Sequence, residues 1–447
     1  MSLRRLRGGR HPGTGRHGGR KARPAVSVIV STYNWSSALR CALRSVQLQT
    51  LKEIEVLIVG DGCTDDSEEV VLSFKDPRFQ WHNLPRNFGS QYAPNNHGLQ
   101  LARAKWVAYL GQDDVWHPRH LEACLQAANA QNADFIASLA IMYGPPGSGW
   151  RAMSGLLVDG VYSYEDFMPP SSWMHRKAIA RKIGYWKRPD ETPLPVDCTF
   201  LRDAVEAGAR IGCTDEVTVF KFNAAWRRDA YRVKPTGEQE AILAKIEAGG
   251  EFRDRELVDV MKAVAADRYL PVRMPSLPGS GEMSYFRRAR VHKGVEDRFS
   301  TADLQIADQV RRFRVQELAP FEWHEEEVHP VHGPFRWTGP SPIASTSLPI
   351  LFDRDLSLRV QIAAVIEEAT FQALRLRVQG VDLPFEIRPA PEGAWILHCV
   401  CPKPQTVPNA LEITFQVGRT RRPVDFGPNK DRRWLGIAIG WIEVGPA

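Results

Sequence analysis

Strand-like runs alternate with segments of helical spacing through the first 140 residues or so, and this alternation constrains the fold more than any other feature of the sequence. Val26-Ser27-Val28-Ile29-Val30, Glu55-Val56-Leu57-Ile58-Val59, Gln80-Trp81-His82-Asn83 and Trp106-Val107-Ala108-Tyr109-Leu110 read as strands, three of them short and apolar enough to be buried. Residues 36–49 place Leu39, Leu43 and Val46 on one helical face. Further helices are predicted over about 65–74, capped by Thr64 or Asp65, and over 94–104 and 119–130, with a strand at Asp134–Ala137. Short connections between alternating elements predict a parallel, doubly wound sheet. Ligands of such sheets bind beyond the carboxyl ends of the strands. Two of those ends carry acids: Asp61 in Gly60-Asp61-Gly62, and Asp113-Asp114 after Gly111-Gln112.

A chain of 447 residues is long for one core. From 236 to 268 the pattern is helical, with Ile242, Leu243, Ile246, Leu257, Val260 and Met261 as apolar positions. Residues 270–330 are rich in Pro and charge and read as a connector with some helix near 301–312. From about 331 the period changes to two. Leu356-Ser357-Leu358-Arg359-Val360 and Leu374-Arg375-Leu376-Arg377-Val378 are strands with one wet face, and Ala394–Cys399, Leu411–Val417 and Leu435–Ile442 add more. The division expected is a basic tail over 1–24, an α/β domain over 25–235, a helical extension and connector over 236–330, and an all-β sandwich over 331–447.

The net charge of +6 belongs to the tail: its eight Arg and Lys residues, with no acid, leave −2 for the remainder. A Gly-, Arg- and His-rich leader buries no core and is expected to be disordered. Peripheral contact with anionic lipid is one reading of it, and a solvated leader or mis-assigned start codon is the other. No nucleic-acid partner is expected. No run approaches the ~18 apolar residues of a membrane span, no secretory core is present, and seven scattered cysteines suggest neither a disulfide framework nor a zinc site. A cytoplasmic location, peripheral to the inner face of the membrane if the tail engages lipid, follows as the expectation.

The first domain has no G-x-G-x-x-G after a strand and no G-x-x-x-x-G-K-[ST], so dinucleotide and P-loop readings lose support. Carboxylates meet phosphate only through an intervening cation, and adjacent unneutralised carboxylates recruit one. Mn²⁺ or Mg²⁺ is therefore expected at Asp113-Asp114, against the plainer reading of an Asp-Asp turn before the next helix.

The run Val26–Asn34, then Val59-Gly60-Asp61-Gly62-Cys63-Thr64-Asp65, then Tyr109-Leu110-Gly111-Gln112-Asp113-Asp114 resembles the inverting family 2 glycosyltransferases of GT-A fold, whose usual forms are V-S-V-I-I-P-T-Y-N, V-D-D-G-S-T-D and D-x-D-D. The resemblance covers residues 26 to about 225. It implies a GT-A, nucleotide-diphospho-sugar transferase-like mixed sheet. It also implies that Tyr33 stacks on the nucleotide base with Ser31 nearby, that Asp61 accepts the imide N–H of uracil or thymine, that Asp113 sits near ribose and diphosphate, and that Asp114 ligates the metal. Asp197, in Leu194-Pro195-Val196-Asp197-Cys198, stands where the family carries its general base, and a helix N-cap is the other reading. His175, in Ser171-Ser172-Trp173-Met174-His175-Arg176, is a tentative acceptor-side residue or a structural histidine. Trp226-Arg227-Arg228 is a flap over the diphosphate or an exposed basic turn. Three departures stand out: Gly111 replaces the first acid of D-x-D-D, Gly60 stands where Asp is frequent, and Asn95 occupies the place of an Arg that meets phosphate.

The C-terminal part resembles β-sandwich modules appended to some bacterial glycosyltransferases. Trp337, Trp395, Trp434 and Trp441 offer faces for sugars or fill the core, and the module binds glycan or organises an oligomer. The function expected is transfer of a sugar from a UDP- or dTDP-sugar to a saccharide or lipid-linked saccharide, with inversion, in bacterial surface-polysaccharide synthesis. A catalytically silent glycan- or nucleotide-binding protein on the same fold is the alternative. A nucleotidyltransferase would need a Gly-rich loop where Ser31-Thr32-Tyr33-Asn34 stands.

Overall fold

The computed structural model describes residues 23–157, 161–162, 167–192, 194–227, 229–266, 268–269, 299, 304–318, 323–339, 342–405, 407–408, 410–431 and 433–447. The tail up to residue 22, and residues 270–298 of the connector expected over 270–330, lie outside them.

The first region runs β1 (Val26–Thr32), α1 (Ser36–Gln47), β2 (Ile54–Gly60), α2 (Ser67–Ser73), β3 (Phe79–Asn83), α3 (Tyr92–Leu101), β4 (Trp106–Gly111), β5 (Val115–Trp116), α4 (His120–Ala130), β6 (Phe135–Tyr143), β7 (Arg151–Ser154), β8 (Trp173–Arg176), α5 (Lys177–Lys182), α6 (Val196–Glu206), β9 (Ile211–Lys221) and α7 (Ala230–Val233). Among the described residues the strand order is β3-β2-β1-β4-β8-β6-β9-β5, with β7 on β6. β3, β2, β1 and β4 are parallel, whereas β8 lies antiparallel to both β4 and β6, so the sheet is mixed. The chain steps outward from β1 to β3 and returns to β4 on the other side of β1. The order therefore reverses between β1 and β4, where a doubly wound sheet opens its crevice.

Both faces of this sheet are covered, as continuous apolar strands require. Val26, Val28 and Val30 pack with Leu39, Leu43 and Val46 of α1, while Ile29 packs on the opposite face with Leu99 of α3. Gly98 lets α3 approach, since a Cβ there would lie 2.7 Å from Ile29 Cγ2. The cap expected for α2 differs in detail. Asp66 is the N-cap and makes no side-chain cap bond. Asp65 accepts the Ser67 amide with one oxygen and the Ser36 amide at the start of α1 with the other, so one carboxylate serves two helices. The 236–268 segment is helical as expected, forming α8 (Gly237–Ala248) and α9 (Phe252–Ala265). Ile242, Ile246, Phe252 and Val260 share a core with Val115, Ile141 and Phe220 of the sheet.

The helix expected near 301–312 is not formed within the described part of that stretch. β10 (Gln305–Ile306) and β11 (Arg311–Arg314) occupy it. Phe313 and Val315 alternate inward while the arginines face out, a period of two that outweighs helical propensity once β11 pairs with the last strand. The following strands are β12 (Trp323–His329), β13 (Gly333–Thr338), β14 (Ile343–Leu348), β15 (Ile350–Leu351), β16 (Leu356–Val365), β17 (Arg375–Val378), β18 (Val381–Leu383), β19 (Glu386–Pro389), β20 (Trp395–Cys401), β21 (Leu411–Gln416) and β22 (Ile437–Pro446). They build a β12-β13-β22-β16-β20-β19 sheet, with β11 also on β22, and a β14-β21-β17-β18 sheet. Leu358, Val360, Cys399 and Ile442 from the first meet Leu348, Leu376, Ile413 and Phe415 from the second, giving an all-β sandwich core.

The four sandwich tryptophans named above are half-buried, neither core nor fully presented. The Arg312 guanidinium lies 4.1 Å from the Trp441 ring centroid and that of Arg422 lies 5.1 Å from Trp434, which occupies one face of each ring. Cys399 and Cys401 share one face of β20, as their spacing requires, with sulfurs 3.7 Å apart. Among the described residues, no helix is long and apolar enough to cross a membrane.

Candidate active site

The register of the central strands gathers the chemistry at one edge. Thr32 pairs with Gly60 across β1 and β2, and Ser31 with Gly111 across β1 and β4, so all three strands end level at the point where the order reverses. Tyr33 and Asp61 follow these ends directly, and Asp113 follows the end of β4 after Gln112. Ser31 lies beside Gly111.

Backbone locks hold this edge together. The Gln112 side-chain oxygen accepts the Thr32 hydroxyl at 2.6 Å and the Tyr33 amide at 2.8 Å, tying the β1 end to the β4 end. Asn34 adopts a left-handed conformation (φ 43°), and its oxygen accepts the Thr64 amide at 2.7 Å, tying β1 to the turn after β2. Gly62 takes φ +71° where a Cβ would strike the Arg86 backbone at 2.3 Å. Gly60 departs from the family's acid because there is no room for one: its Cβ would lie 2.6 Å from Asn83 Oδ1.

Asp61 is buried, with Oδ1 accepting the Phe88 amide and Oδ2 the Gly89 amide, each at 3.0 Å. The carboxylate thus fixes the loop that leads from β3 into α3. Asn95, in the first turns of that helix, is buried with both polar side-chain atoms lacking a hydrogen-bond partner among the described residues. A buried amide left in this state costs stability unless a ligand satisfies it.

Asp114 has a different job from the one expected. It is 0 % exposed, and its Oδ2 accepts the Lys221 ammonium at 2.9 Å and the Ser171 hydroxyl at 2.5 Å, while Oδ1 accepts the Phe222 amide at 3.2 Å. Ser171 also accepts the Gly111 amide at 3.0 Å, so the β4 end, Asp114 and the end of β9 form one network. The neutralising cation is a lysine 107 residues away in sequence. Asp113 is only half-buried, and its carbonyl accepts the Gln239 side chain of α8 at 3.1 Å.

A metal ligated through Asp114 does not fit this donor set, because Lys221, Ser171 and Phe222 engage both oxygens and Gly111 supplies no further acid. Among the described residues no group of three His, Cys, Asp or Glu side chains is arranged to hold a metal ion.

Asp197 is the second residue of α6, and Pro195 holds the N-cap position without a side-chain bond. The N-cap reading therefore fails in its literal form. The carboxylate is half-buried in the first helical turn. Its Oδ1 accepts the Cys198 amide at 3.0 Å.

His175 does not belong to an open site. It is fully buried, with Nε2 against the Tyr109 hydroxyl at 3.0 Å and Nδ1 against the Arg176 carbonyl at 2.9 Å. Phe135 and Phe200 pack on its ring. Its acceptor-side assignment is corrected to a structural one. Burial pushes its pKa down to about 4, so it folds neutral. The contribution is complete above the ordinary value of 6.5 and is lost as pH falls through about 4. In urea titrations at pH 7 and pH 4, His175→Gln is expected to lose less stability on acidification than the parent chain, by on the order of 3 kcal/mol. Equal losses would remove His175 from the acid response.

The basic flap is corrected too. Arg227 is buried, paired with Glu238 at 2.7 Å, and donates to the Tyr143 and Gly144 carbonyls. Arg228 lies outside the described residues. Sequence reasoning missed Gln112, Ser171 and Lys221 as parts of the site. A lone lysine closing the apolar run Val217–Phe220 was the available signal, since a charge at the end of a buried strand needs a partner.

A mixed, doubly wound sheet whose acid-bearing strand ends meet at the order reversal is a GT-A-like fold. Residues 27–206 match the family model for glycosyl transferase family 2. An uncharacterized glycosyltransferase of Rickettsia prowazekii is 32 % identical over 114 residues, spanning 25 % of this chain and 35 % of that protein. The poly(ribitol-phosphate) beta-N-acetylglucosaminyltransferase TarP of Staphylococcus aureus is 30 % identical over 150 residues, spanning 33 % of this chain and 45 % of that one. The chain thus spans between a third and a half of the length of these two relatives. S. aureus TarS residues 1–349 with UDP-GlcNAc are 22 % identical, with TM-score 0.37, over 44 % of this chain and 58 % of that one. A Pyrobaculum calidifontis mannosyltransferase with GDP-Man and Mn²⁺ is 16 % identical, with TM-score 0.36, over 55 % and 76 %.

Proposed function

We propose that this chain transfers a sugar from a UDP- or dTDP-sugar to a hydroxyl of a saccharide or lipid-linked saccharide, with inversion, in bacterial surface-polysaccharide synthesis. The observation that carries the reading is the level ending of β1, β2 and β4, which gathers Tyr33, Asp61 and Asp113 at the sheet's order reversal. The name of TarP, a poly(ribitol-phosphate) beta-N-acetylglucosaminyltransferase, favours a polymeric acceptor.

In this reading Tyr33 stacks on the base and Asp61 receives the imide N–H of uracil or thymine. The Phe88 and Gly89 amides fix its carboxylate for that task. Cytosine lacks the N–H and would leave a buried acceptor facing it unmatched. Asp113 lies toward ribose and diphosphate. Asp197 takes the proton of the acceptor hydroxyl as that oxygen bonds to the anomeric carbon; the bond from carbon to diphosphate oxygen breaks on the opposite side, and the nucleoside diphosphate leaves with the electron pair. The proposal also includes a cytoplasmic site of action, lipid contact through the basic tail, and glycan binding or oligomer organisation by the sandwich.

A thermal-shift panel of UDP, dTDP, GDP and CDP tests the reading. A ligand at a hundredfold excess over its Kd adds about 2.7 kcal/mol, so UDP or dTDP is expected to raise Tm by several degrees while CDP does not. No shift with any nucleotide would sink it.

A further inference from the structure

Lys221 ends β9 at the centre of the acid network, and neither the motif pattern nor the family match gives it a role. Only 16 % of its side chain is exposed, an unfavourable setting for an ammonium without anions nearby. Burial works against its charged form, but Asp114, Asp113 and Asp197 together outweigh that and raise its pKa above the ordinary lysine value. The three carboxylates come from the β4 end and from α6, so separate parts of the chain surround one cation. An ammonium has three hydrogens. Asp114 accepts one, and among the described residues no other acceptor is bonded to it.

Gly111 completes the picture. A Cβ at this position would lie 3.1 Å from Asp113 Oδ1, 3.3 Å from Asp114 Oδ2 and 3.4 Å from Ser171 Oγ. An acid at 111 would thus enter the same cluster that Lys221 neutralises.

We propose that Lys221 supplies the positive charge at the diphosphate end of the site in place of a divalent cation, so that nucleotide binding and sugar transfer proceed without metal. The inference rests on reading the site as one for a nucleotide sugar. Its chemistry is that of a lysine facing phosphate as a point charge, with hydrogens left to donate to the leaving oxygens. If Lys221 serves only to neutralise Asp114, removing metal should abolish binding, and that separates the two roles.

Calorimetric titration of UDP and dTDP into the full-length chain, in excess EDTA and then in excess Mn²⁺, tests this directly. The nucleotide that binds is expected to show Kd values within about threefold of each other. A loss of tenfold or more in EDTA, about 1.4 kcal/mol, overturns the inference while leaving the proposed function intact. Binding of neither nucleotide in either condition overturns both. The paired variant Lys221→Met with Asp114→Asn removes both charges without stranding one. Folded by its melting curve, it is expected to bind the nucleotide at least about tenfold more weakly in EDTA, and an unchanged Kd contradicts a role for Lys221. If the pair does not fold, the parent chain's comparison of EDTA with Mn²⁺ decides alone.

Discussion

Replacing Asp114 with alanine is expected to lower the stability of the N-terminal domain by about 3–5 kcal/mol. The cost comes from what the substitution leaves behind more than from what it removes. The Lys221 ammonium loses its contact partner at 2.9 Å in a place with little access to water, and the Ser171 hydroxyl and Phe222 amide lose their acceptor. Asp114→Asn keeps the shape and one acceptor oxygen but not the charge, so its loss should be intermediate. Chemical denaturation reports both. A loss below about 1 kcal/mol for the alanine variant, the range of an exposed pair, would mean that the network does not bear on the fold.

Asp197→Asn is expected to reduce turnover by about 10²–10⁴-fold, the range for removing a general base, with nucleotide affinity little changed. Asparagine preserves the helical position and can still accept the Cys198 amide, so the first turn of α6 should stand. What disappears is the capacity to take a proton. Kd and kcat measured on the same preparations separate the two effects. Equal turnover in the variant would remove Asp197 as the base, and a parallel collapse of nucleotide binding would indicate a positioning role instead.

The N-terminal sheet was readable because its signals are local. Apolar β-branched runs, a helical stripe at Leu39, Leu43 and Val46, and acids placed after strands are all short-range patterns, and each lies close to where the periodicity puts it. The misreadings share a cause, which is partners distant in sequence. Asp113-Asp114 looked unneutralised because Lys221 is more than a hundred residues away. His175 stood between an acceptor-side and a structural role because its cage of Tyr109, Phe135 and Phe200 assembles only in the tertiary fold. Arg227 looked like an exposed turn until the Tyr143 and Gly144 carbonyls and Glu238 enclosed it. The 311–314 segment gave too few residues for its period of two to stand out against surrounding charge, and pairing with β22 decided it.

Release of nucleoside diphosphate from a sugar nucleotide decides whether the chain is a transferase. The chain is incubated with UDP- and dTDP-sugars, with and without saccharide acceptors, and free UDP or dTDP is measured over time. Release from at least one donor is expected, faster with an acceptor, and lost in Asp197→Asn. Nucleotide binding with no release from any donor under any of these conditions would contradict it and favour a silent nucleotide-binding protein on the same fold.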